Sequence, residues 1–154
     1  MEERTELIHK LERARQELRA ALEAIDPQIE ICPGWTGKEM LAHIAGWDQV
    51  SIHSLRAHAR GIEPDAPATG EFDLVNARFI KGYQALSYSQ MASECERVRD
   101  ELKTALAEMP KERFAEPFLF PWGERGTAAE LAAVLAGHDR EHARELQALS
   151  AGKG

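Results

Sequence analysis

The sequence predicts an all-α protein in which the chain folds as a four-helix bundle. Four segments of roughly 20 residues carry apolar residues at spacings of three and four, the period of an amphipathic helix. No segment shows the sustained alternation of a β-strand. The 154 residues also match the size of one compact domain, so we expect residues 1–154 to form a single domain.

The first helix is predicted over residues 3–25. Pro27 marks its end, because proline lacks the backbone N–H group that a helix interior needs. The apolar stripe of this helix consists of Leu7, Leu11, Ala14, Leu18, Leu22 and Ile25.

The second helix is predicted from Thr36 to about Ala59. Thr36 and Glu39 have the spacing of a capping box, in which each side chain accepts a hydrogen bond from the other residue's free backbone N–H group. Trp35 and Met40 flank this cap in the positions of a hydrophobic staple, which fixes the angle at which the chain enters the helix.

A long connection separates the second helix from the third. Residues 61–70 contain glycine and proline and are predicted to be a loop, whereas residues 72–86 are weakly helical. Ser87 and Gln90 have capping-box spacing, and the third long helix follows over residues 91–109. Because the connection is long enough to run along the bundle, we expect a crossover between these two helices.

The fourth helix is predicted to begin at a further T-x-x-E box, formed by Thr127 and Glu130. Residues 114–126 precede it, are rich in proline and aromatic residues, and are expected to form a short hairpin over one end of the bundle. The apolar stripe of the fourth helix contains Leu131, Leu135, Leu146 and Leu149.

The charge of the chain argues against nucleic acid and anionic membranes as partners. There are 26 acidic and 19 basic residues, a net charge of -7, and no cluster of Lys and Arg. Cys32 and Cys95 lack the spacing of a redox or zinc site and suit a reducing compartment. No signal peptide or membrane-spanning run is present, so we expect a soluble cytoplasmic protein.

The fourth helix carries a short motif, G-H-D-R-E-H at residues 137–142, that is typical of metal binding. His138 and His142 are one helical turn apart, so their imidazoles share a face and can reach one ion. Both lie on the stripe of core leucines, where an unpaired imidazole costs on the order of 1 to 3 kcal/mol. A shared metal ion would supply the missing partner.

His43 of the second helix is the candidate third ligand. It lies on the inward stripe, about 10 Å beyond the Thr36 cap, and the midpoint of His138 and His142 lies about 14 Å before Leu149. Antiparallel packing of the second and fourth helices would bring the three histidines to one level. Parallel packing would separate them by roughly 10 Å.

Each histidine could also have a role that involves no metal ion. His43 taken alone could be a core histidine bonded to a backbone carbonyl. Three inward imidazoles at one level are hard to satisfy without an ion, so the set favours a zinc or nickel site with an open coordination position. His58 lies too far along the helix to share this ion, and we expect His9 and His53 to be solvated.

The acidic and aromatic residues near these histidines have open roles. Asp139 stands where an HExxH zinc protease has its catalytic Glu, but Asp is shorter and no second protease signature is present. We expect Asp48, Asp139 and Glu141 to be solvated, with support of the metal ligands as the alternative. Four aromatic residues either line an apolar pocket above the ion or belong to the ordinary core: Trp47, Tyr83, Phe120 and Trp122.

Several motifs together resemble the DinB-like superfamily of four-helix-bundle metalloproteins. These are L-A-H-I-A-G-W at residues 41–47, residues 72–76 of the connection, the Gly-Thr pair before the fourth helix, and H-D-R-E-H-A at residues 138–143. The resemblance covers nearly the whole chain. It implies an up-down-down-up bundle that holds a divalent ion through His43, His138 and His142.

The resemblance also implies a range of activities. Relatives include enzymes that use mycothiol or bacillithiol, such as maleylpyruvate isomerase and S-transferases, and a subfamily that protects against reactive natural products. The family name refers to induction by DNA damage and not to DNA binding.

We therefore expect a metal-dependent enzyme of S-transferase, isomerase or hydrolase type. In it, zinc or nickel would activate a thiol or water against a small electrophilic substrate, and a low-molecular-weight thiol would be a second cofactor. The alternative is a non-catalytic bundle that binds a small ligand or forms a homodimer and holds a structural metal ion.

Overall fold

The computed structural model describes residues 2–152, which form six helices and one small sheet. The elements in chain order are α1 (Glu2–Glu23), α2 (Gly37–Ala59), α3 (Phe72–Gly82), α4 (Tyr88–Glu108), α5 (Lys111–Ala115), β1 (Phe118–Leu119), β2 (Arg125–Gly126) and α6 (Ala128–Ala151). The four predicted long helices are α1, α2, α4 and α6, so the all-α prediction is confirmed.

The predicted capping boxes begin the long helices where the sequence places them. The backbone N–H of Ser87 donates to Gln90 Oε1 at 2.9 Å, and Ser87 Oγ accepts from the Gln90 N–H at 3.1 Å. At α6 the Thr127 N–H donates to Glu130 Oε1 at 3.0 Å. These bonds satisfy backbone donors that have no partner within the helix and so fix the helix start.

The four long helices form an up-down-down-up bundle around two buried apolar clusters. Taken in the order α1, α2, α4, α6, the clusters contain Leu11, Ile52, Leu102 and Leu131 at one end and Leu18, Met40, Met91 and Leu146 at the other. Residue numbers thus rise toward the second cluster in α1 and α6 and fall toward it in α2 and α4. The antiparallel arrangement of α2 and α6 follows, as does the crossover between α2 and α4.

A layer of four charged side chains separates these two apolar clusters. Each long helix contributes one side chain to this charged layer, which consists of Arg15, Asp48, Arg99 and Asp139, exposed by 3, 1, 2 and 0% respectively. The expectation that Asp48 and Asp139 are solvated is therefore wrong. Both carboxylates are buried because arginines from two helices bind each of them, and an ion pair offsets the cost of removing charge from water. Glu141 is exposed, as expected.

The crossover contains α3, which packs closely on α2 at a glycine. A Cβ atom at Gly46 would lie 2.1 Å from Cγ of Phe79, so any larger residue would force the two helices apart. The helix predicted over residues 72–86 ends earlier, at Gly82. The close approach matters because Asn76 of α3 reaches His43 of α2.

The segment between α4 and α6 closes one end of the bundle. The predicted hairpin is present as β1 and β2, which pair antiparallel with Phe118 opposite Gly126. The short helix α5 was not expected, since five residues after Pro110 are too few to show an apolar period. Within residues 2–152, no helix combines the length and apolar character needed to cross a membrane.

Candidate metal centre

Three histidines from α2 and α6 meet at one point beside the charged layer. Nε2 of His43 lies 3.0 Å from Nε2 of His138 and 3.2 Å from Nε2 of His142, and the last two atoms are 3.0 Å apart. The His43 side chain is buried, and the other two are half-buried. The structure thus brings together all three histidines that the sequence singles out, as the antiparallel packing of α2 and α6 requires.

The ring orientation of His43 is fixed by Asn76 of α3. Nδ1 of His43 lies 2.7 Å from Asn76 Oδ1, and the Nε1–H of Trp47 donates to the same oxygen at 2.8 Å. An amide oxygen only accepts hydrogen bonds, so Nδ1 of His43 carries the proton. Nε2 is then left with a lone pair that points at the other two histidines.

Glu145 holds His142 in the same way. Nδ1 of His142 donates to Glu145 Oε1 at 2.6 Å, one turn further along α6. In the neutral form of this ring, Nε2 is therefore also a lone-pair acceptor. Two acceptors, on His43 and His142, face each other at 3.2 Å and cannot hydrogen-bond to one another. Such an arrangement calls for a cation or a shared proton between them.

The electrostatics of the site keep two of its imidazoles, those of His43 and His138, neutral. Burial, followed by the proximity of His138, lowers the pKa of His43 from 6.5 to about 3. Burial, followed by the proximity of His142, lowers the pKa of His138 from 6.5 to about 4. At neutral pH both rings are uncharged, which is the form of imidazole that binds a metal ion.

The spacing of the three nitrogens fits one divalent ion. Two imidazole nitrogens at about 2.0–2.1 Å from a tetrahedral zinc ion lie about 3.3 Å apart. The observed Nε2 separations are 3.0, 3.2 and 3.0 Å. Among the described residues, His43, His138 and His142 are the group whose ligand atoms lie close enough to hold a metal ion. Three protein ligands are also the number found in catalytic zinc sites.

A cavity of about 510 Å³ opens beside His138. Of the four aromatic residues considered from the sequence, Trp47 and Trp122 line it, whereas Phe120 is buried in the core and Tyr83 packs on the apolar cluster near the N-terminus of α2. The full lining consists of Trp47, Phe72, Trp122, Val134, Leu135, Gly137, His138 and Glu141.

A second cavity, of about 770 Å³, lies between α3 and the loop before α2. Trp35 lines it and packs on His43 with ring centroids 5.0 Å apart. Asn76 also lines it. Its walls are more polar, and they include Cys32, Asp73, Lys81 and Gln84.

The remaining histidines lie outside the site. His9 and His53 are exposed, as expected. His58 is buried, stacks on Phe118 with centroids 4.4 Å apart and has Nε2 2.7 Å from the carbonyl oxygen of Arg113. Its environment is that of a core histidine with a satisfied ring.

The structure also rules out Asp139 as the general base of an HExxH-type zinc protease. Its carboxylate turns away from the histidines and accepts hydrogen bonds from Arg15 Nε at 3.1 Å and Arg99 Nη1 at 2.9 Å. Sequence reasoning missed both arginines, although each stands on an apolar stripe. Arg15 lies between Leu11 and Leu18 at steps of four and three. This placement was the available signal of a buried charge.

Solved structures with the same fold include the mycothiol-dependent maleylpyruvate isomerase, with a TM-score of 0.76 and 17% sequence identity. The match covers 93% of this chain and 60% of the isomerase chain. This protein thus spans 60% of the length of that enzyme.

Two further structures match over most of both chains. The colibactin self-resistance protein ClbS, solved in complex with a dsDNA, has a TM-score of 0.75 at 18% identity, with 95% of this chain and 94% of ClbS covered. YfiT from Bacillus subtilis, described as a probable metal-dependent hydrolase with an unusual four-helix bundle topology, has a TM-score of 0.73 at 16% identity, with 98% and 87% covered. At these identities the likeness establishes the fold.

Because ClbS was solved in complex with DNA, the fold as such does not exclude nucleic acid as a partner. For this chain that exclusion rests on its charge and stays a prediction. No curated protein sequence matches the chain significantly. The sequence model of the DinB superfamily matches residues 10–146, which include all three histidines and the four long helices apart from their outermost ends. The chain therefore belongs to the DinB superfamily.

Proposed function

We propose that His43, His138 and His142 bind one divalent ion, zinc or nickel, and that the protein is a metal-dependent enzyme acting on a small electrophile. The observation that carries this proposal is the approach of the three Nε2 atoms to within 3.0–3.2 Å of one another, with an oxygen atom bound to Nδ1 of His43 and of His142 behind each ring. Neutral imidazoles favour both metals, and geometry alone does not select between them.

The chain's own residues orient this site. Asn76 and Glu145 hold the protons on Nδ1 of His43 and His142 and so keep each Nε2 available as a ligand. Trp47 shares the Asn76 oxygen, which ties the wall of the cavity to the ligand His43. A ligand set that is already oriented loses little conformational freedom when an ion binds.

The reaction class follows from the open side of the site. A divalent ion with three protein ligands lowers the pKa of a water or thiol that occupies its open position. We infer that an electrophilic substrate occupies the cavity beside His138, next to that position, and packs against its aromatic wall. We infer attack of a thiol or water on this substrate, as in an S-transferase, isomerase or hydrolase.

We propose a low-molecular-weight thiol as the second cofactor. The support comes from the mycothiol dependence of the isomerase that shares the fold, and from the polar second cavity, whose lining residues Trp35 and Asn76 contact His43. Lys81, Asp73 and Gln84 offer both hydrogen-bond donors and acceptors to a polar thiol there.

Metal analysis tests the proposal. Protein purified without a histidine tag and incubated with zinc should retain about one ion per chain after gel filtration. His138→Ala should abolish retention, whereas His53→Ala, which changes an exposed histidine of α2, should not. Circular dichroism checks that both variants are folded. Absence of stoichiometric metal in the unmodified protein, or full retention by the His138 variant, would contradict the proposal.

Cobalt substitution separates a catalytic from a structural site. The visible spectrum of the cobalt protein should change when a small thiol or azide is added, because an open position accepts a further ligand. An unchanged spectrum would favour the alternative, a non-catalytic bundle with a structural metal ion that binds a small ligand or forms a homodimer.

The partners and location that we propose follow from composition. The net charge of -7 disfavours nucleic acid, and a labelled DNA duplex should show no anisotropy change at physiological salt. A small molecule is the expected substrate, and the assembly is a monomer or homodimer that light scattering distinguishes. Cys32 and Cys95 are unpaired, which supports a cytoplasmic location. We also propose that residues 1–154 fold as one domain.

A further inference from the structure

Trp47 donates a hydrogen bond to the residue that orients His43. Its Nε1–H lies 2.8 Å from Oδ1 of Asn76, and Nδ1 of His43 lies 2.7 Å from the same oxygen. An amide oxygen has two lone pairs, so it can accept both bonds. Trp47 and His43 are one turn apart on α2, and the two donors therefore reach this oxygen from the same face of the helix.

The indole ring of Trp47 is held in place by α3. Its centroid lies 5.8 Å from that of Phe72 and 5.4 Å from that of Phe79, and both contacts are edge to face. These two phenylalanines stand one turn before and one turn after Asn76 on α3. Packing of the buried indole against both of them directs its N–H group at the amide that separates them.

The amide of Asn76 has two possible orientations, which differ by a half-turn that exchanges Oδ1 and Nδ2. With Oδ1 in place, Nδ1 of a neutral His43 must carry the proton, and Nε2 keeps its lone pair. With Nδ2 in place, Nδ1 of His43 would accept, and the proton would be on Nε2. Both orientations offer His43 one hydrogen bond, so His43 alone does not select between them.

His142 makes the second orientation competitive. Its Nε2 lies 3.2 Å from Nε2 of His43, and its Nδ1 donates to Glu145. A proton on Nε2 of His43 would therefore find an acceptor on His142, and the two rings would form a hydrogen bond. This bond favours the tautomer of His43 that has no lone pair for a metal ion.

The N–H group of Trp47 opposes that tautomer, because an indole nitrogen only donates. With Nδ2 of Asn76 in the place of Oδ1, two donors would face each other and the buried indole N–H would lose its partner. The orientation that satisfies Trp47 is thus the one that leaves the Nε2 lone pair on His43.

We propose that Trp47 is a positioning residue for His43: its N–H group fixes the orientation of the Asn76 amide and so keeps the Nε2 lone pair of His43 available to the ion. The inference rests on the proposed function in that His43 is taken as a metal ligand. Because Trp47 also lines the cavity beside His138, one residue forms part of the cavity wall and sets the tautomer of the ligand.

The zinc affinity of Trp47→Phe tests this role. Phenylalanine keeps an aromatic ring in the wall but removes the N–H group, so the tautomer with the proton on Nε2 becomes accessible. Because only the other tautomer binds the ion, the dissociation constant of zinc should rise about three- to tenfold. Competition with a chromophoric chelator measures this constant.

The matched control is Trp122→Phe. Trp122 lines the same cavity, but its Nε1–H donates to Glu124 and not to Asn76. The same change at this position should therefore leave the dissociation constant of zinc unchanged. Equal zinc affinities in Trp47→Phe and Trp122→Phe would overturn the inference.

Asn76→Asp separates the orientation of the amide from packing. A carboxylate accepts at both of its oxygens, so a half-turn presents His43 with the same partner. In the Asn76→Asp background, Trp47→Phe should change the dissociation constant by less than about twofold. A factor that is the same in both backgrounds would show that Trp47 acts through packing alone, which contradicts the inference.

The tautomer of His43 is observed directly in protein with isotope-labelled histidine, because long-range proton–nitrogen correlation spectra show which ring nitrogen carries a proton. The unmodified protein should have this proton on Nδ1, both with and without zinc. Metal-free Trp47→Phe should have it on Nε2 in a larger share of molecules. If the unmodified protein binds no zinc but the spectra are as expected, the proposed function falls and the role of Trp47 stands. If zinc binds and the proton stays on Nδ1 in Trp47→Phe, only this inference falls.

Discussion

Arg99 of α4 binds Asp48 of α2 through two hydrogen bonds, Nε to Oδ2 and Nη2 to Oδ1, each 3.0 Å long. The same guanidinium donates from Nη1 to Asp139 of α6 at 2.9 Å. Asp139 directly follows His138, and Asp48 lies five residues after His43. The charged layer therefore fixes the relative height of α2 and α6, and with it the level at which their histidines meet.

Removal of Arg99 should destabilise the protein strongly. Arg99→Met leaves two buried carboxylates, Asp48 and Asp139, with Arg15 as their remaining partner, and uncompensated buried charge of this kind costs about 3–5 kcal/mol. Burial alone raises the pKa of Asp48, and the adjacent Arg99 and Arg15 more than reverse this effect. The measurement is the free energy of unfolding in urea at pH 7.

The matched control lies two residues away on the same helix. Arg97 is 54% exposed and pairs with Glu94 and Glu101 on the surface. Because water and salt screen such pairs, Arg97→Met should cost less than about 1 kcal/mol. Equal losses in the two variants would show that the buried arginine is no more important than a surface charge.

Acid should destabilise the metal-free protein below about pH 6.5. His43 and His138 have pKa values of about 3 and about 4 in the folded chain, against 6.5 in the unfolded chain. Below pH 6.5 and above the pKa of the folded state, the unfolded chain binds more protons than the folded chain does. The free energy of unfolding is therefore highest above pH 6.5 and falls as the pH decreases. Each histidine contributes a slope of about 1.4 kcal/mol per pH unit.

Urea unfolding of chelator-treated protein at several pH values measures this slope. The double variant His43→Gln, His138→Gln should show a shallower dependence, whereas His53→Gln should keep it, since His53 is exposed. A slope that is the same in all three proteins would mean that the buried histidines do not titrate as described.

Zinc affinity should depend on the residues behind the ligands. Asn76→Leu removes the acceptor from Nδ1 of His43, and Glu145→Leu removes it from Nδ1 of His142. Loss of such a partner lowers metal affinity about 10- to 100-fold, because the ring is then free to turn and change tautomer. Competition with a chromophoric chelator measures the dissociation constant.

Two further variants control for charge and position. Glu145→Gln keeps an acceptor oxygen and should restore part of the affinity lost in Glu145→Leu. Glu141→Gln changes a carboxylate one turn earlier on α6, and the structure shows no hydrogen bond from it to a histidine. Its zinc affinity should therefore be close to that of the unmodified protein. Unchanged affinity in Asn76→Leu would remove that residue from the site.

The long helices were predictable because their signals are local. Capping boxes such as Ser87 with Gln90 lie within four residues, and apolar stripes repeat within one helix. The axial level of the histidines also follows from helix geometry alone. The short helix α5 could not be predicted in this way, because it lies within a connection and has no stripe of its own.

The contacts around the histidines were harder to predict from the sequence. Glu145 lies three residues after His142, so its contact with that ring could have been found from helical spacing. Asn76 is 33 residues from His43 and reaches it only because α3 packs on α2. The pairing of Asp139 with Arg15, 124 residues away, likewise depends on which helices are neighbours. Such contacts are set by tertiary packing and leave no local pattern.

Gly46 should be a sensitive point of the site although it is not one of the candidate metal ligands. In Gly46→Ala the new Cβ would lie 2.1 Å from Cγ of Phe79, so that ring and α3 must move away from α2. We expect a loss of about 1–3 kcal/mol in stability. Because α3 also carries Asn76, we expect weaker zinc binding together with the loss of stability.

Gly137→Ala is the control for Gly46→Ala. It replaces a helical glycine in the same way but displaces no neighbouring helix. A Cβ there would meet nothing within 4 Å, and alanine is favoured over glycine inside a helix by about 1 kcal/mol. Gly137→Ala should therefore stabilise α6 and leave zinc affinity unchanged. Urea unfolding and chelator competition on both variants measure these effects. If Gly46→Ala keeps full zinc affinity, the position of Asn76 does not depend on the close approach of α2 and α3.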